Sequence, residues 1–259
     1  MADEKIVQFE GTRLDPETIR ALVADTLVEG QPISKWWRQQ AAEFQNQFIR
    51  QIRTSMSNGE NLTQGIVRIV GGTVDGVTVP GIMKTSKRKA GALVATSQNA
   101  VSNSAALASY QANFDVISKT TQVSTLDNKT SEICIAYSGQ TWDIKTLTPV
   151  PPSTLPFNGG PPRHFNCRSR LRPVTMSFRE LGIDSDEIPP GTRASMDGQV
   201  PADITFDAWL SGKSTTFQDK LLGPGRARLW RGNKISLTQL VDFRGQPLTL
   251  DQLENLLND

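Results

Sequence analysis

The sequence predicts an α+β protein, mainly α-helical, with a small antiparallel β-sheet around Cys134–Leu171. Three observations carry this. Long stretches before residue 113 repeat apolar or small residues at three- and four-residue spacing, as helices do. The texture then changes to Thr, Val and Ile, as in strands. After Pro190, short helical runs alternate with Gly.

In order along the chain, Asp15-Pro16 combines a capping side chain with a first-turn proline, so a helix is expected from there to about Glu29, ended by Gly30 and Pro32. Ser34 would cap a longer helix, whose apolar stripe is Trp37, Ala41, Phe44, Phe48 and Ile52, stopped by Asn58-Gly59. Thr63–Val70 reads as a short helix. Gly71–Pro80 reads as a hairpin or loop around Asp75-Gly76. A long Ala-rich helix is expected over Ser86–Ala112. Ile117–Val123 reads as a strand, and Ile133–Tyr137 with Gln140–Ile144 as a hairpin turning at Ser138-Gly139. Pro149–Pro162 holds six prolines and two glycines, so it must be a looped excursion. His164–Leu171 would return as a strand. Short helices are expected at Phe206–Leu210, Thr215–Leu222, Pro224–Arg231, Ser236–Val241 and Thr249–Leu257. The organisation expected is a helical arm over 1–72, a core over 73–189 and a short-helix module over 190–259.

Composition narrows the function classes. With 259 residues and 37% hydrophobic content the chain can bury a core. Two cysteines do not make a disulfide scaffold. The first residues, MADEKIVQFEGTR, show no basic-then-apolar signal design, and no apolar run approaches the roughly 20 residues that span a bilayer. Cytosolic synthesis without membrane insertion is the expectation. The net charge of +2 hides three stretches without Asp or Glu. They contain Lys84, Lys87, Arg88 and Lys89; Arg163, Arg168, Arg170 and Arg172; and Arg226, Arg228 and Arg231. Such stretches suit nucleic acid or an acidic protein face, and solvated surface is their plainer account.

One constellation carries special chemistry: Asp127, Thr130, Cys134, His164, Cys167 and Arg168. Every Cys and His of the chain falls between Cys134 and Cys167. Three readings of it are open. Zinc would use Cys134, His164 and Cys167, with Asp127 as a fourth ligand, although only His164-x-x-Cys167 has the close spacing of a ligand pair. A disulfide could join Cys134 to Cys167 in an oxidising setting. The reading preferred on sequence, without metal or cofactor, is a buried polar staple. In it His164 bonds Asp127 or Thr130, the thiols pack as small apolar groups and Arg168 pairs with a carboxylate. A nucleophile pair of Cys134 or Cys167 with His164 has no evident orienting third group beyond Asp127. The single His excludes two-histidine nucleases. Neither a nucleotide-binding loop nor a zinc-deaminase signature occurs.

The spacing Asp127-x-x-Thr130-x-x-x-Cys134, followed by Pro161-Pro162-x-His164-x-x-Cys167-Arg168, resembles the core motif of Mu F-like phage minor head proteins. The Thr96-Ser97-Gln98-Asn99-Ala100 helix resembles their lead-in, and Thr205–Leu253 is similar to C-terminal regions attached to this core, so the resemblance spans about Ile82–Leu257. Relatives carry further cysteines where this chain has Tyr137 and Ser169. The resemblance implies a structural, non-enzymatic virion protein, assembled in the bacterial cytoplasm, whose partners are the portal protein, the major capsid or scaffolding protein, and packaged DNA. Lys84, Lys87, Arg88, Lys89, Arg163, Arg170 and Arg172 are the candidate contacts to DNA or partner. The alternatives are a sequence-independent nucleic-acid-binding protein and a Cys-His hydrolase.

Overall fold

The computed structural model describes residues 11–74 and 76–257. The signal-free reading of residues 1–10, Asp75 of the Asp75-Gly76 turn and residues 258–259 lie outside them. The described residues are 46% helix and 15% strand, so the fold is mainly α-helical with small antiparallel sheets.

Helix α1 (Pro16–Asp25) starts as expected: Asp15 accepts the amides of Glu17 and Thr18, both at 2.9 Å. It ends short of Glu29, because Leu27–Val28 (β1) and Gln31–Pro32 (β2) form a two-residue ladder. Helix α2 (Ile33–Ser57) begins before Ser34, which therefore caps nothing; Pro32 is the N-cap and makes no side-chain bond. Helix α3 (Leu62–Val70) is closed at its start by a capping box between Asn61 and Gln64. Strands β3 (Gly72–Val74) and β4 (Val77–Val79) make the expected hairpin.

Helix α4 (Gly81–Ala112) starts earlier than its Ala-rich run. Gly81 sits at φ +61, and a Cβ there would lie 2.2 Å from the Gly71 amide nitrogen, so glycine lets α3 and α4 meet at this corner. Helices α2 and α3 both pack on α4. The stripe expected on α2 does not face that contact: Trp37, Phe48 and Ile52 are exposed, while Trp36, Phe44 and Ser55 are sheltered. Trp36 settles the rotation, donating its indole N–H to the Val28 carbonyl at 2.8 Å and meeting Phe165 edge-on at 5.0 Å.

Strand β5 (Ile117–Val123) matches its expected span and is the centre of a three-stranded antiparallel sheet. The expected hairpin over 133–144 is half wrong. Glu132–Ala136 is a helix (α5), and only Thr141–Asp143 (β6) is a strand, pairing Trp142 with Thr120. Ser131 caps α5 by accepting the Cys134 amide, and Glu132 lies in the first turn. These local terms outweigh the β-preference of Ile133 and Ile135. The other sheet edge is β7 (Arg170–Thr175), where Pro173 is tolerated because one side of the strand is unpaired. The return from the Pro-rich loop is thus a turn over 164–169, and the strand starts six residues later than expected.

A hairpin, β8 (Thr192–Ser195) and β9 (Gly198–Pro201), occupies the segment read as merely polar and Gly-rich. Helices α6 (Phe206–Ser211), α7 (Thr215–Leu222) and α8 (Pro224–Arg231), a 3-10 turn at Leu237–Leu240 and helix α9 (Leu250–Asn255) then follow close to expectation. One apolar cluster joins Tyr137, Trp142, Phe157, Trp209, Leu240 and Leu253, so the last seventy residues share a core with the central sheet. No helix among the described residues is long and apolar enough to cross a membrane.

Candidate functional site

The six residues singled out in the sequence converge where α5, the turn before β7 and the middle of α4 meet. They divide into two connected clusters.

The first is an ion-paired turn. Asp127 Oδ1 accepts the Lys129 amide at 2.9 Å and the Thr130 hydroxyl at 3.1 Å, while Thr130 also donates to the Thr125 carbonyl at 2.6 Å. Arg168 grips the same carboxylate with both terminal nitrogens, at 2.5 and 2.9 Å. Burial alone would push the Asp127 carboxyl up. The Arg168 bond first, then the Lys129 amide and the Thr130 hydroxyl, outweigh it and bring the carboxyl from 3.8 down to about 2. A carboxylate depressed on folding stabilises the fold above its unfolded pKa. That contribution should be lost as pH falls from about 4 through about 2. Asp127→Asn should remove this acid-sensitive component and lower stability at neutral pH by about 1–2 kcal/mol, since Arg168 is partly exposed. Urea titrations of both proteins across that pH range check it; identical pH profiles would refute it.

The second cluster is Cys134, His164 and Cys167. Cys134 Sγ lies 3.3 Å from His164 Nε2 and 3.5 Å from Cys167 Sγ. Both cysteines are free and buried. His164 does not bond Asp127 or Thr130, as the staple reading expected. Arg168 occupies Asp127, and His164 Nε2 meets Ser131 Oγ instead, at 2.8 Å. Its Nδ1 lies 2.8 Å from the Phe165 carbonyl, an oxygen that can only accept. Nδ1 therefore carries a proton, and Nε2 faces Ser131 and Cys134. The Cys134 thiol is held down to about 6, chiefly by its contact with Cys167, whose own thiol is pushed up by the same contact and by burial. The two sulfurs thus favour sharing one proton.

Polar residues of α4 fix the turn from behind. Asn99 donates to the Cys167 carbonyl at 2.6 Å, Thr96 Oγ1 accepts the Asn166 amide at 2.9 Å, and Asn103 accepts the Leu171 amide at 2.8 Å. Ser124 donates to the Cys134 carbonyl at 2.7 Å and meets Ser169 at 3.1 Å. Sequence reasoning missed Ser131, Asn99, Asn103 and Ser124 as site residues. A signal existed for two of them: Thr96, Asn99 and Asn103 are spaced three and four apart, on one face of a helix otherwise rich in Ala and Ser. Of the two positions at which the resemblance implied further cysteines, Ser169 adjoins Cys134, whereas Tyr137 is buried in the main core.

The basic candidates separate. Lys84, Lys87 and Arg88 are exposed on α4, while Lys89 pairs with Glu43. Arg163 is consumed internally: it donates to Gln122 at 2.7 Å and to the Phe157 carbonyl at 3.3 Å, and its guanidinium stacks 3.3 Å over the Tyr137 ring. Burial pushes its pKa down to about 10. Arg170 is exposed but bonded to Asn99, and Arg172 is exposed.

The family model described as Phage Mu protein F like protein matches residues 17–172, more than half of the chain. The chain belongs to the phage Mu protein F like family. The match takes in the N-terminal helices as well as the motif, so it starts well before Ile82, and it stops inside β7, leaving the C-terminal helices outside. No curated protein and no solved structure matches the chain. Membership makes this a protein of phage head morphogenesis, a structural family whose place is the virion. Residues 17–70 touch the motif directly: Trp36 of α2 packs on Phe165, and the carboxylate of Glu29, in the turn between β1 and β2, accepts the Phe165 amide at 3.2 Å.

Proposed function

We propose that this Mu F-like protein is a minor structural component of the phage head that acts at the portal vertex, in head assembly and in DNA packaging or delivery. Family membership supports the head role. The observation that carries the structural reading is how closed the motif is. Cys134 beside His164, with its lowered pKa, has the makings of an activated nucleophile. Yet Cys134 is only 2% exposed, and the cavity beside it is about 10 Å³, room for one water and for no substrate. The motif serves to hold α4, α5 and β7 in one arrangement. Expected partners are the portal protein and the major capsid or scaffolding protein.

The deciding experiment is deletion of the gene in its phage. The bulk shell protein should accumulate normally, while infectious particles fall sharply in number or adsorb without delivering DNA. Wild-type titres from the deletion phage would overturn the reading.

Packaged DNA is a further proposed partner. Lys84, Lys87 and Arg88, at i, i+3 and i+4 of α4, share one exposed helix face, and none is ion-paired among the described residues. Duplex DNA should bind without sequence preference, with affinity that drops steeply as salt rises and a smaller salt slope in a Lys84→Ala, Lys87→Ala, Arg88→Ala variant. An unchanged slope would assign this face to protein contact.

A further inference from the structure

We propose that Cys134, His164 and Cys167 form a zinc site, in which both thiolates and His164 Nε2 bind one ion and a water fills the fourth position. The sequence spacing argued against this, because only His164 and Cys167 are close in the chain. The fold supplies what the spacing lacks by bringing α5 against the 164–169 turn.

The first argument is distance. Zn–S bonds of about 2.3 Å and a Zn–N bond of about 2.05 Å at tetrahedral angles put the sulfurs roughly 3.75 Å apart, and sulfur and nitrogen roughly 3.55 Å apart. The observed Cys134–Cys167 and Cys134–His164 separations are 3.5 and 3.3 Å, and all three ligand atoms lie within 4.8 Å of one another. Those two pairs would part by a few tenths of an ångström, while Cys167 and His164, within 4.8 Å of each other, would close by up to about 1.3 Å, a movement of side-chain rotation. A disulfide would need the sulfurs to close from 3.5 to about 2.05 Å, whereas an ion needs them to part slightly.

The second argument is the orientation of His164. A metal-binding imidazole ordinarily donates its other N–H to a carbonyl or carboxylate, which sets tautomer and ring angle. Here the Phe165 carbonyl receives Nδ1–H at 2.8 Å, which leaves Nε2 as the ring atom facing Cys134 Sγ at 3.3 Å and Ser131 Oγ at 2.8 Å. The turn carrying Phe165 is itself held by Thr96, Asn99 and Glu29.

The third argument is charge and space. One Zn²⁺ with two thiolates is neutral, which removes most of the cost of placing charge in a buried site. The cavity of about 10 Å³ is lined by Cys134, His164, Thr130, Ser131 and Ser169, and also by Lys129 and by Arg168, whose charge is paired with Asp127; it has room for a single water. With no room for a substrate, the ion would act as a structural clamp between α5 and the strand-entry turn.

The test is metal content and cobalt spectroscopy on the full-length chain purified under reducing conditions. About one equivalent of zinc should survive dialysis, and Co²⁺ exchange should give thiolate-to-cobalt charge-transfer bands with tetrahedral d–d intensity. A chelator should lower the thermal midpoint of the wild-type protein, a readout that stands even if Cys134→Ser or Cys167→Ser fails to fold. Where the variants fold, each should lose the charge-transfer bands. Two reactive thiols with no retained metal, no cobalt bands and no chelator effect would overturn the proposal in favour of a hydrogen-bonded staple. An intact mass two hydrogens short, with no reactive thiol, would overturn it in favour of a disulfide.

Discussion

Trp142→Ala is expected to cost roughly 3–5 kcal/mol, the range for deleting a large buried aromatic side chain. Its ring is fully buried, stacked at 6.3 Å from Tyr137 and edge-on at 5.3 Å to Phe157. Its indole N–H donates to the Leu155 carbonyl at 2.8 Å, tying the Pro-rich loop to β6. Truncation would open a cavity, strip that carbonyl of its partner and loosen the loop that leads to His164. Typical domains are stable by about 5–15 kcal/mol, so a large share of the stability is at risk. Trp37→Ala should be nearly silent, within about 0.5 kcal/mol, because Trp37 is 41% exposed. Urea denaturation of the two variants side by side checks both numbers; equal losses would show that the apolar centre has been misplaced.

These two tryptophans mark where the sequence was and was not legible. Periodicity finds that a helix exists, and α2, α4 and the C-terminal helices were visible on that basis. It does not say which face is covered when apolar residues occur on more than one side. On α2, Trp36 and Phe44 turn inward while Trp37, Phe48 and Ile52 stay outside, and the rotation depends on Phe165 and Val28, distant in the chain. The α5 segment failed for a different reason. Ile133, Cys134, Ile135 and Ala136 form an apolar run that periodicity alone cannot assign to strand or helix, and the Ser131 cap decides it.

The site was legible as a set of residues and illegible as a network. The exclusive occurrence of Cys and His between 134 and 167 pointed to one closed cluster, and the folded chain has one. The pairings within it were unreadable because two donors competed for one carboxylate. Asp127 could have served His164 or Arg168, and a bidentate guanidinium pair is the stronger match for a carboxylate. His164 then took a backbone carbonyl and a serine, groups that nearly every segment offers and no motif advertises.

Asn103→Ala is expected to cost about 2–4 kcal/mol, more than its size suggests, because of what it would leave behind. Asn103 is 3% exposed in the middle of α4. Its Oδ1 accepts the buried Leu171 amide at 2.8 Å, and its Nδ2 donates to Asn99 Oδ1 at 2.7 Å. Removing it orphans a buried N–H at the start of β7 and frees Asn99 to turn away from the Cys167 carbonyl. Each buried polar group left unpaired costs roughly 1–3 kcal/mol, and water cannot easily reach this helix–strand seam. Asn103→Asp would keep the acceptor for Leu171 but place a charge against Asn99 Oδ1, so it should not rescue. Because Asn99 and Asn103 act through one another, Asn99→Ala and the double variant should be non-additive, the double costing clearly less than the sum of the singles. Additive losses would mean that each asparagine holds the motif turn independently. A loss below about 0.5 kcal/mol for Asn103→Ala would mean that α4 does not hold β7 through its buried amides at all.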